Sequence, residues 1–470
     1  MHNCAPIRVG LFFGGSSRER EISFAAGRTI YDQLDRKFFE PLPIFVDSIG
    51  NFILLHWKYL YQSSIREIYP PAASTTRFLG IPLYIESLTT PNSDDNANFI
   101  APIGKKIEPA DFTKHFDIAF LCLHGPYGED GTIQGLLEWY QIPYSGSAIL
   151  PAALGLNKVF QRKILQNAGF LLPRSLILSQ KKWLDTTHKS ELFHEIITTL
   201  GLPFVVKSST QGSSIGVSIV KDHGLSSFIT AMHRAFFIEE VSYAIWKEYT
   251  LEEQKNWFNR LIDVREGIGF PLLVEGQILY TPDALLAYIE LHFQKKQDAI
   301  LLISAQAEEE IIIESFIQGR EFSCVVLEAE KGKTITLPPT EILKGNMHFD
   351  YKAKYLPGMV RKQTPMVLPS LLLDAIRKEA AALFQLLGFQ VYARIDGFLT
   401  NDNQIYLNDP NTTAGMHPSS FLFHQAAEIG LNPTQLITFI IKRSLEVRKE
   451  KGSLFAYALL QRLITMLVNT

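Results

Sequence analysis

The chain has 470 residues, 46% of them hydrophobic and 20% charged, and this composition excludes a largely disordered protein because it supplies enough apolar surface for several cores. A chain of this length is expected to form roughly two to four domains. The formal net charge of -3 provides no positive field for a phosphate backbone, so nucleic acid is not expected as a partner.

Cysteine usage and the two termini indicate a cytoplasmic protein. The cysteines are far apart and match no metal-ligand spacing, as in a reduced cytosolic chain. Residues 1–6 lack the charged and apolar regions of a signal peptide. The apolar segment 454–468 contains Arg462 and is shorter than the ~20 residues that a membrane span needs. We therefore expect a docked C-terminal helix and no membrane span, with a membrane or partner anchor as the alternative.

The N-terminal region has an α/β pattern. An apolar run at 7–13 ends in a glycine-serine turn, and residues 21–34 then follow with helical spacing. A second apolar run at 118–123 leads into the polar loop 124–132. Open α/β sheets bind ligands at the carboxyl ends of their strands, so both loops are candidate binding loops.

A second domain is expected from about residue 151. A helix is predicted over 158–168, and strand-like segments follow within 175–220. The stretch 223–310 is predicted to be mixed and mostly helical, with Thr281-Pro282-Asp283 as a good helix start. Strands and helices return after residue 311.

Residues 391–411 predict a β-hairpin, because two strand-like runs flank the turn-forming residues 401–403. If the second and third of these residues are the central turn residues, Asp396 lies directly opposite Asp409. Two carboxylates in that position destabilise a sheet unless something cationic lies between them. The register therefore predicts a bound cation.

The same register places Arg394 opposite Asn411, on the face that carries the two carboxylates. Mg²⁺ binds one or two carboxylates together with substrate phosphates, so the group suits a magnesium nucleotide. The alternative is a solvated hairpin whose carboxylates pair with Arg394.

Further polar loops are candidate ligand sites. Lys207 ends an apolar strand, and the small residues 208–216 after it offer backbone donors for phosphate, although such turns are often only turns. Residues 314–317 suit an adenine, and the loop 350–355 suits closure over a charged ligand or is a plain surface loop. Gly415 brings a backbone N–H toward a reacting centre or serves only as a turn residue.

Taken in order, these segments resemble the D-alanine–D-alanine ligases of the ATP-grasp superfamily, and the resemblance spans most of the chain. The matching motifs are Gly-Gly-Ser-Ser-Arg-Glu-Arg-Glu-Ile-Ser at 14–23, His-Gly-Pro-Tyr-Gly-Glu-Asp-Gly at 124–131, Gly-Ser-Ser-Ile-Gly at 212–216, Ala-Lys-Tyr at 353–355, Arg-Ile-Asp at 394–396 and Asn-Thr-Thr-Ala-Gly-Met at 411–416.

The resemblance implies an ATP-grasp fold, which is α/β with an α+β C-terminal part. The implied domains are an N-terminal open-sheet substrate domain at 1–150, a central ATP-grasp subdomain at 151–318 that contains the long insertion 223–310, a catalytic subdomain at 319–450 and a C-terminal helix at 451–470.

The resemblance also implies roles for individual residues. Nucleotide binding is implied for Lys158, Lys207, Ser214, Glu314, Ser315, Phe316, Ile317 and Glu321. Two Mg²⁺ ions, with Mn²⁺ as an alternative, are implied at Asp396, Asp409 and Asn411. Substrate binding is implied for Glu19, His124, Lys354, Tyr355 and Ser420. Catalytic roles are implied for Glu19, Ser213, Tyr355, Arg394 and Gly415.

The implied reaction is ATP-dependent ligation of two D-alanines through an acyl phosphate, which supplies peptidoglycan synthesis, in a protein that tends to form homodimers. Tyr355 favours the dipeptide-forming members of the family. The alternatives are a ligase with another substrate and a catalytically weak ATP-binding homologue.

This sequence departs from the family pattern at several positions. Asp409 stands where Glu is usual, which withdraws the carboxylate by about 1.5 Å. Asn157 replaces an Asp, and Ala414 replaces a Pro. The neighbours of Ser420 within 417–423 also differ, which bears on the identity of the second substrate.

Overall fold

The computed structural model describes residues 5–70, 83–88, 96–330, 332–344 and 360–469. The predicted site residues Lys354 and Tyr355, with the rest of the loop 350–355, lie outside the described residues. The helices and strands below are numbered in chain order within the described ranges.

The strands are β1 (Ile7–Gly14), β2 (Phe39–Val46), β3 (Phe52–Leu55), β4 (Gly104–Ile107), β5 (Ile118–Leu121), β6 (Ser175–Ser179), β7 (Phe204–Ser208), β8 (Ser218–Val220), β9 (Ile238–Val241), β10 (Leu272–Val274), β11 (Gln277–Leu279), β12 (Ile300–Ser304), β13 (Glu310–Ser315), β14 (Gly319–Glu330), β15 (Lys333–Thr336), β16 (Thr340–Lys344), β17 (Val360–Gln363), β18 (Tyr392–Thr400) and β19 (Ile405–Asn411).

The helices are α1 (Arg20–Gln33), α2 (Asn96–Ile100), α3 (Phe112–His115), α4 (Thr132–Trp139), α5 (Ile149–Leu156), α6 (Lys158–Asn167), α7 (Gln180–Asp185), α8 (Lys189–Leu200), α9 (Leu225–Phe236), α10 (Tyr243–Trp246), α11 (Leu251–Ile262), α12 (Pro282–Lys295), α13 (Ser370–Leu386), α14 (Phe421–Ala427), α15 (Pro433–Glu450) and α16 (Leu454–Val468).

The chain divides into two compact units. Unit 1 contains residues 1–61, 103–172 and 317–470, and unit 2 contains residues 62–102 and 173–316. The division into four domains at 150, 318 and 450 stays a prediction.

The first sheet of unit 1 has the strand order β4-β3-β2-β1-β5 within the described residues. Strand β1 pairs in parallel with both β2 and β5, while β3 and β4 extend the sheet in antiparallel pairing. Apolar side chains such as Phe12, Phe112 and Phe116 form the core on one face. The predicted α/β opening is therefore confirmed, and the two predicted loops follow the neighbouring parallel strands β1 and β5.

The second sheet of unit 1 is antiparallel, with the order β17-β16-β14-β18-β19 and with β15 paired to β14 among the described strands. Phe322, Ile395 and Leu407 on the sheet pack with Ile376 and Leu383 of α13. Burial alternates along β18, so one face is closed by this core and the other carries the polar residues.

The mixed and mostly helical character predicted for residues 223–310 is confirmed, but the sheet that this stretch also forms was not predicted. The described strands of unit 2 form two antiparallel sheets, β6-β13-β7-β8 and β11-β10-β12-β9, and the second lies wholly within the stretch predicted to be mostly helical. Those strands have three to five residues, too short for a clear two-residue period. The predicted helix start is confirmed, because Thr281 caps α12 and Pro282 is its first residue.

The apolar C-terminal segment forms the predicted docked helix, with the predicted bounds. Helix α16 buries Ala456, Leu459 and Leu463 on one side, as its helical spacing requires. Arg462 Nη2 donates a hydrogen bond to the Pro6 carbonyl at 3.0 Å. Across the described residues, none of the helices has the length and apolar character to cross a bilayer.

Candidate functional site

The hairpin of β18 and β19 brings the predicted polar residues together. Asp396 pairs with Asp409, and Arg394 pairs with Asn411, as predicted. The turn itself differs from the prediction, because Thr400 N–H donates to the Gln404 carbonyl and encloses three residues rather than two. A bulge after Asp396 restores the register that the longer turn had shifted.

Each carboxylate of this pair has a cationic neighbour. Arg394 donates two hydrogen bonds to Asp396, from Nε at 3.0 Å and from Nη2 at 2.8 Å. Lys158 Nζ lies 3.3 Å from Asp409 Oδ1. Lys158 starts α6, and Asn157 caps that helix by accepting from Phe160 N–H, a role that Asp would also fill. The predicted pairing of a carboxylate with Arg394 is therefore present at Asp396.

The oxygen atoms at the hairpin suit a hard cation. Asn411 Nδ2 donates to the Asp409 carbonyl at 2.9 Å, so the amide oxygen is the ligand atom that this side chain has to offer. Two carboxylates and an amide fit a Mg²⁺ ion that takes its other ligands from phosphates and water. The described residues contain no group of three or more His, Cys, Asp or Glu arranged to hold a metal without such help.

The loop after β5 is tied to the loop after β19 by a buried carboxylate. Glu129 Oε2 accepts from Gly125 N–H at 2.7 Å, and Glu129 Oε1 accepts from Thr413 N–H at 3.2 Å. His124 Nδ1 lies 3.7 Å from the same carboxylate. Glu129 thus fixes the glycine loop that contains Gly415 relative to His124, a role that the sequence analysis did not assign.

His124 and Glu19, which the family resemblance assigns to substrate binding, are both buried in unit 1. Burial by itself would lower the pKa of His124, but the hydrogen bond and charge of Glu129 and the charge of Glu19 raise it overall. His124 Nε2 has no hydrogen-bond partner among the described residues. An orphaned buried nitrogen of this kind is rare and points to a ligand atom that accepts or donates there.

Two cationic side chains, Lys362 and Arg394, lie near Ser420, the residue predicted to contact the second substrate. Lys362 Nζ donates to the Ser419 carbonyl at 2.7 Å and lies 4.6 Å from the Phe421 ring centroid, with Arg394 on the same ring at 6.0 Å. Ser420 is buried and caps α14 by accepting from the N–H of residue 423. Lys362 was not predicted, because it lies on β17, which β16 and β14 separate from β18, and nothing in its local sequence indicates a site.

The pH dependence of stability is expected to reflect His417. Burial first, and then the charges of Lys362 and Arg394, lower its pKa from 6.5 to about 4. Between these values the unfolded chain binds a proton that the folded chain does not, so the free energy of unfolding falls as the pH falls, by about 3 kcal/mol over the window. Urea titrations at pH 7 and pH 4 measure this decrease in the free energy of unfolding, which should be smaller in His417→Asn than in the wild type. The exposed control His223→Asn should show the same decrease as the wild type. A decrease as large as in the wild type for His417→Asn, or a smaller one for His223→Asn, would contradict the assignment to His417.

Lys207 and the polar loop after it lie in unit 2. Lys207 on β7 forms an ion pair with Glu314 on β13, with Nζ 2.7 Å from Oε2, and both side chains are buried. Ser213 and Ser214 have φ angles of 53° and 61°. Non-glycine residues rarely adopt this left-handed conformation, and consecutive examples concentrate in ligand-binding loops.

Glu308 holds the start of this loop and was missed by the sequence analysis. Its carboxylate accepts from Ser209 Oγ at 2.6 Å, Thr210 Oγ1 at 2.8 Å and Gln211 Nε2 at 2.9 Å. Glu308→Ala should therefore lower the free energy of unfolding by about 2 kcal/mol or more, because it strands several buried donors. Denaturant titration would measure this. The control is the exposed neighbouring residue Glu309, and Glu309→Ala should change the free energy of unfolding by less than about 0.5 kcal/mol.

The remaining predicted residues are placed as follows. Ser315 ends β13 and Phe316 follows it in unit 2, where their N–H groups donate to the carbonyls of Arg174 and Pro203 respectively. Ile317 begins the next segment of unit 1, and Glu321 follows on β14, where it pairs with a residue of β18. Gly415 lies between two buried residues, with open space at the position of an added Cβ except for His417 Cδ2 at 3.7 Å.

Family models and related proteins all indicate the same family for this chain. A family model for the D-ala D-ala ligase N-terminus matches residues 8–147, and one for the D-ala D-ala ligase C-terminus matches residues 164–242 and 240–442. A D-alanine–D-alanine ligase of Bacillus anthracis is 29% identical over 363 residues, covering 77% of this chain and 91% of the relative. One from Azobacteroides pseudotrichonymphae is 27% identical and covers 92% of this chain and 98% of the relative.

A solved structure supports the same assignment. The crystal structure of a D-alanine–D-alanine ligase from Bacillus anthracis superposes with a TM-score of 0.55 at 26% identity, covering 95% of this chain and 100% of that chain. The sheets and helices of this chain therefore form the ATP-grasp fold of that enzyme class. Matches to both the N-terminal and the C-terminal model, in chain order, establish that this protein belongs to the D-alanine–D-alanine ligase family.

Proposed function

We propose that this chain is an ATP-dependent carboxylate–amine ligase that joins two D-alanines into the dipeptide used for peptidoglycan precursors. The observation that carries the proposal is the pairing of Asp396 with Asp409 beside Arg394, inside a chain that matches both family models. The relatives named above bear the same activity in their names.

The proposed reaction has two displacements. A carboxylate oxygen of the first D-alanine attacks the γ-phosphorus of ATP, an O–P bond forms, and the bond to ADP breaks. The amine of the second D-alanine then attacks the acyl carbon, an N–C bond forms, the bond to phosphate breaks, and the amine loses a proton. Such a reaction depends on positioning and electrostatics more than on covalent work by side chains.

Unit 1 contains the residues assigned to the first D-alanine and to the acyl oxygen. Glu19 is assigned to the ammonium of the first D-alanine, and His124 Nε2 to a polar atom of the same substrate. Arg394 and the Gly415 N–H are assigned to the negative charge that develops on the acyl oxygen. The short distance from Arg394 to Asp396 supports this assignment, because the bidentate bond holds the guanidinium in one orientation.

Metal binding is proposed at Asp396, Asp409 and Asn411, whose oxygen atoms fit Mg²⁺. The ions neutralise phosphate charge during transfer. With a cation held beside Asp409, Lys158, whose Nζ lies 3.3 Å from Asp409 Oδ1, would be available to pair with a nucleotide phosphate. The shorter Asp409 side chain is expected to make one of the two ions bind more weakly than a glutamate would.

Unit 2 contributes a phosphate-binding loop. Lys207 supplies the positive charge, and the loop that contains Ser213 and Ser214 supplies backbone donors in a conformation fixed by Glu308. Glu314 keeps Lys207 in place through the 2.7 Å ion pair until a nucleotide binds. Homodimer formation and a cytoplasmic location stay predictions.

A different second amino acid is the next candidate, and it is favoured by the cationic cluster of Lys362 and Arg394 near Ser420. A panel of D- and L-amino acids, each assayed with D-alanine and ATP for phosphate release and for the ligated product, separates the two. We expect D-alanine to give the highest kcat/KM as second substrate. Turnover confined to another amino acid would replace D-alanine in the proposal.

A further inference from the structure

Unit 1 contains a cavity that is separate from the hairpin site. It has a volume of about 430 Å³ and is lined by the end of α4, the segment after it, and the junction between α15 and α16. Neither the opposed carboxylates nor Arg394 line it, and the reaction proposed above does not use it.

The cavity contains a buried arginine with unused donors. Arg448 is 5% exposed, and its Nη2 donates to the Gly146 carbonyl at 2.9 Å. The guanidinium lies 3.9 Å from the Tyr144 ring centroid. Its Nε and Nη1 have no hydrogen-bond partner among the described residues. Leaving the donors of a buried cation unpaired is costly, so the site suits an acceptor that is not part of this chain.

Two more features give the cavity an anion-binding character. Lys451 lines it three residues after Arg448, and the pKa of Lys451 is lowered by burial and by the charge of Arg448. The first turn of α16 also lines it, and helix N-termini carry N–H groups without intrahelical partners. The carboxylate in the lining, Glu138, accepts from Tyr144 Oη at 2.6 Å.

The remaining wall is apolar. Ile142 is buried, whereas Leu454 and Phe455 are 84% and 40% exposed at the mouth of the cavity. A cationic end and an apolar wall together favour a molecule with one anionic group and a compact apolar body.

We propose that this cavity binds a small organic anion, a carboxylate or a phosphate monoester. Its anionic group accepts hydrogen bonds from Arg448 and Lys451, and its apolar body packs against Ile142, Leu454 and Phe455. The inference does not depend on the ligase reaction, because none of these residues takes part in it.

Titration of the full-length protein with phenyl phosphate and with benzoate, followed by ligand-detected NMR at saturating Mg²⁺-ADP, tests the proposal. We expect saturable binding with a Kd on the order of 1 mM for at least one of the two, and no binding of the neutral analogue benzyl alcohol. The tighter of the two anions identifies the ligand class. Absence of saturable binding for both, or equal binding of benzyl alcohol, overturns the proposal.

Two matched variants locate the binding. Lys451→Gln should weaken the anion about tenfold, whereas Lys449→Gln, the same charge change at an exposed position of α15 outside the cavity, should leave the Kd unchanged. Arg448→Met should abolish binding while phosphate release with D-alanine stays at the wild-type level. If Arg448→Met does not fold, the Lys451→Gln result decides, and an unchanged Kd in Lys451→Gln contradicts the proposed site.

Discussion

Asp396→Asn is expected to lower the kcat of ligation by about 10²- to 10³-fold. The change keeps the size of the side chain but removes the charge that binds the cation. It also replaces one of the two acceptors that hold Arg394, at 3.0 Å and 2.8 Å. ATP-dependent phosphate release with saturating D-alanine measures the effect, and the Mg²⁺ concentration for half-maximal rate should rise in the same variant.

The control for this change lies in the turn of the same hairpin. Asp402 is exposed and distant in register from the opposed carboxylates. Asp402→Asn should therefore retain kcat within about twofold, since surface changes of this kind shift energies by less than about 0.5 kcal/mol. Equal activity of wild type and Asp396→Asn would favour the catalytically weak homologue among the predicted alternatives.

Gly397→Ala is expected to cost about 3 kcal/mol of folding free energy and most of the activity. A Cβ at this position would lie 2.6 Å from the Tyr406 carbonyl oxygen and 2.6 Å from Phe322 Cζ. The carbonyl belongs to the partner strand, so the hairpin must open to accommodate the methyl group, and Asp396 moves with it. Denaturant titration and phosphate release would measure the two losses.

Gly135→Ala is the matched control for that substitution. Gly135 lies within α4, and the nearest atom to an added Cβ is Ile149 Cδ1 at 3.9 Å. Alanine in a helix interior is favoured over glycine, so a gain of about 0.5 kcal/mol is expected. A stable and active Gly397→Ala protein would show that the close packing of β18 on β19 is not required for the site.

The pairing of Asp396 with Asp409 was predictable from local sequence, although the predicted two-residue turn was wrong. The turn-forming residues 401–403 do not distinguish a two-residue turn from a three-residue turn. The observed three-residue turn shifts the register by one, and the bulge beside Asp396 shifts it back. Burial of Ile395 and Leu407 on the opposite face fixes the polar face, because a slip of one residue would expose them.

Other parts of the site could not be predicted, because they depend on partners far apart in the chain. Glu308 fixes a loop almost a hundred residues earlier in the sequence. Gln425, fully buried, accepts from Val325 N–H at 2.8 Å and donates to the Ser323 carbonyl at 2.8 Å, which anchors α14 to β14. Neither residue has a local signal, since a lone Glu or Gln in a helical or loop sequence is usually solvent-exposed.

The stretch 223–310 shows the limit of periodicity for secondary structure. The five-residue apolar strand Ile300–Ser304 and the three-residue strands of the same sheet fit a buried helix segment as well as a strand. The pairings of β12 with β9 and β10 decide between the two, and these are tertiary contacts. The start of α12, in contrast, follows from the local chemistry of Thr281 and Pro282.

The most direct test is a titration with Mn²⁺ in the presence of a non-hydrolysable ATP analogue, followed by electron paramagnetic resonance. Two Mn²⁺ ions per chain are expected to bind in the wild type, the second markedly more weakly, and Asp409→Asn is expected to lose at least one of them. The double variant Asp396→Asn, Asp409→Asn should bind the analogue without an ordered metal. Unchanged Mn²⁺ stoichiometry and affinity in that double variant would contradict the claim that the opposed carboxylates bind the nucleotide's cations.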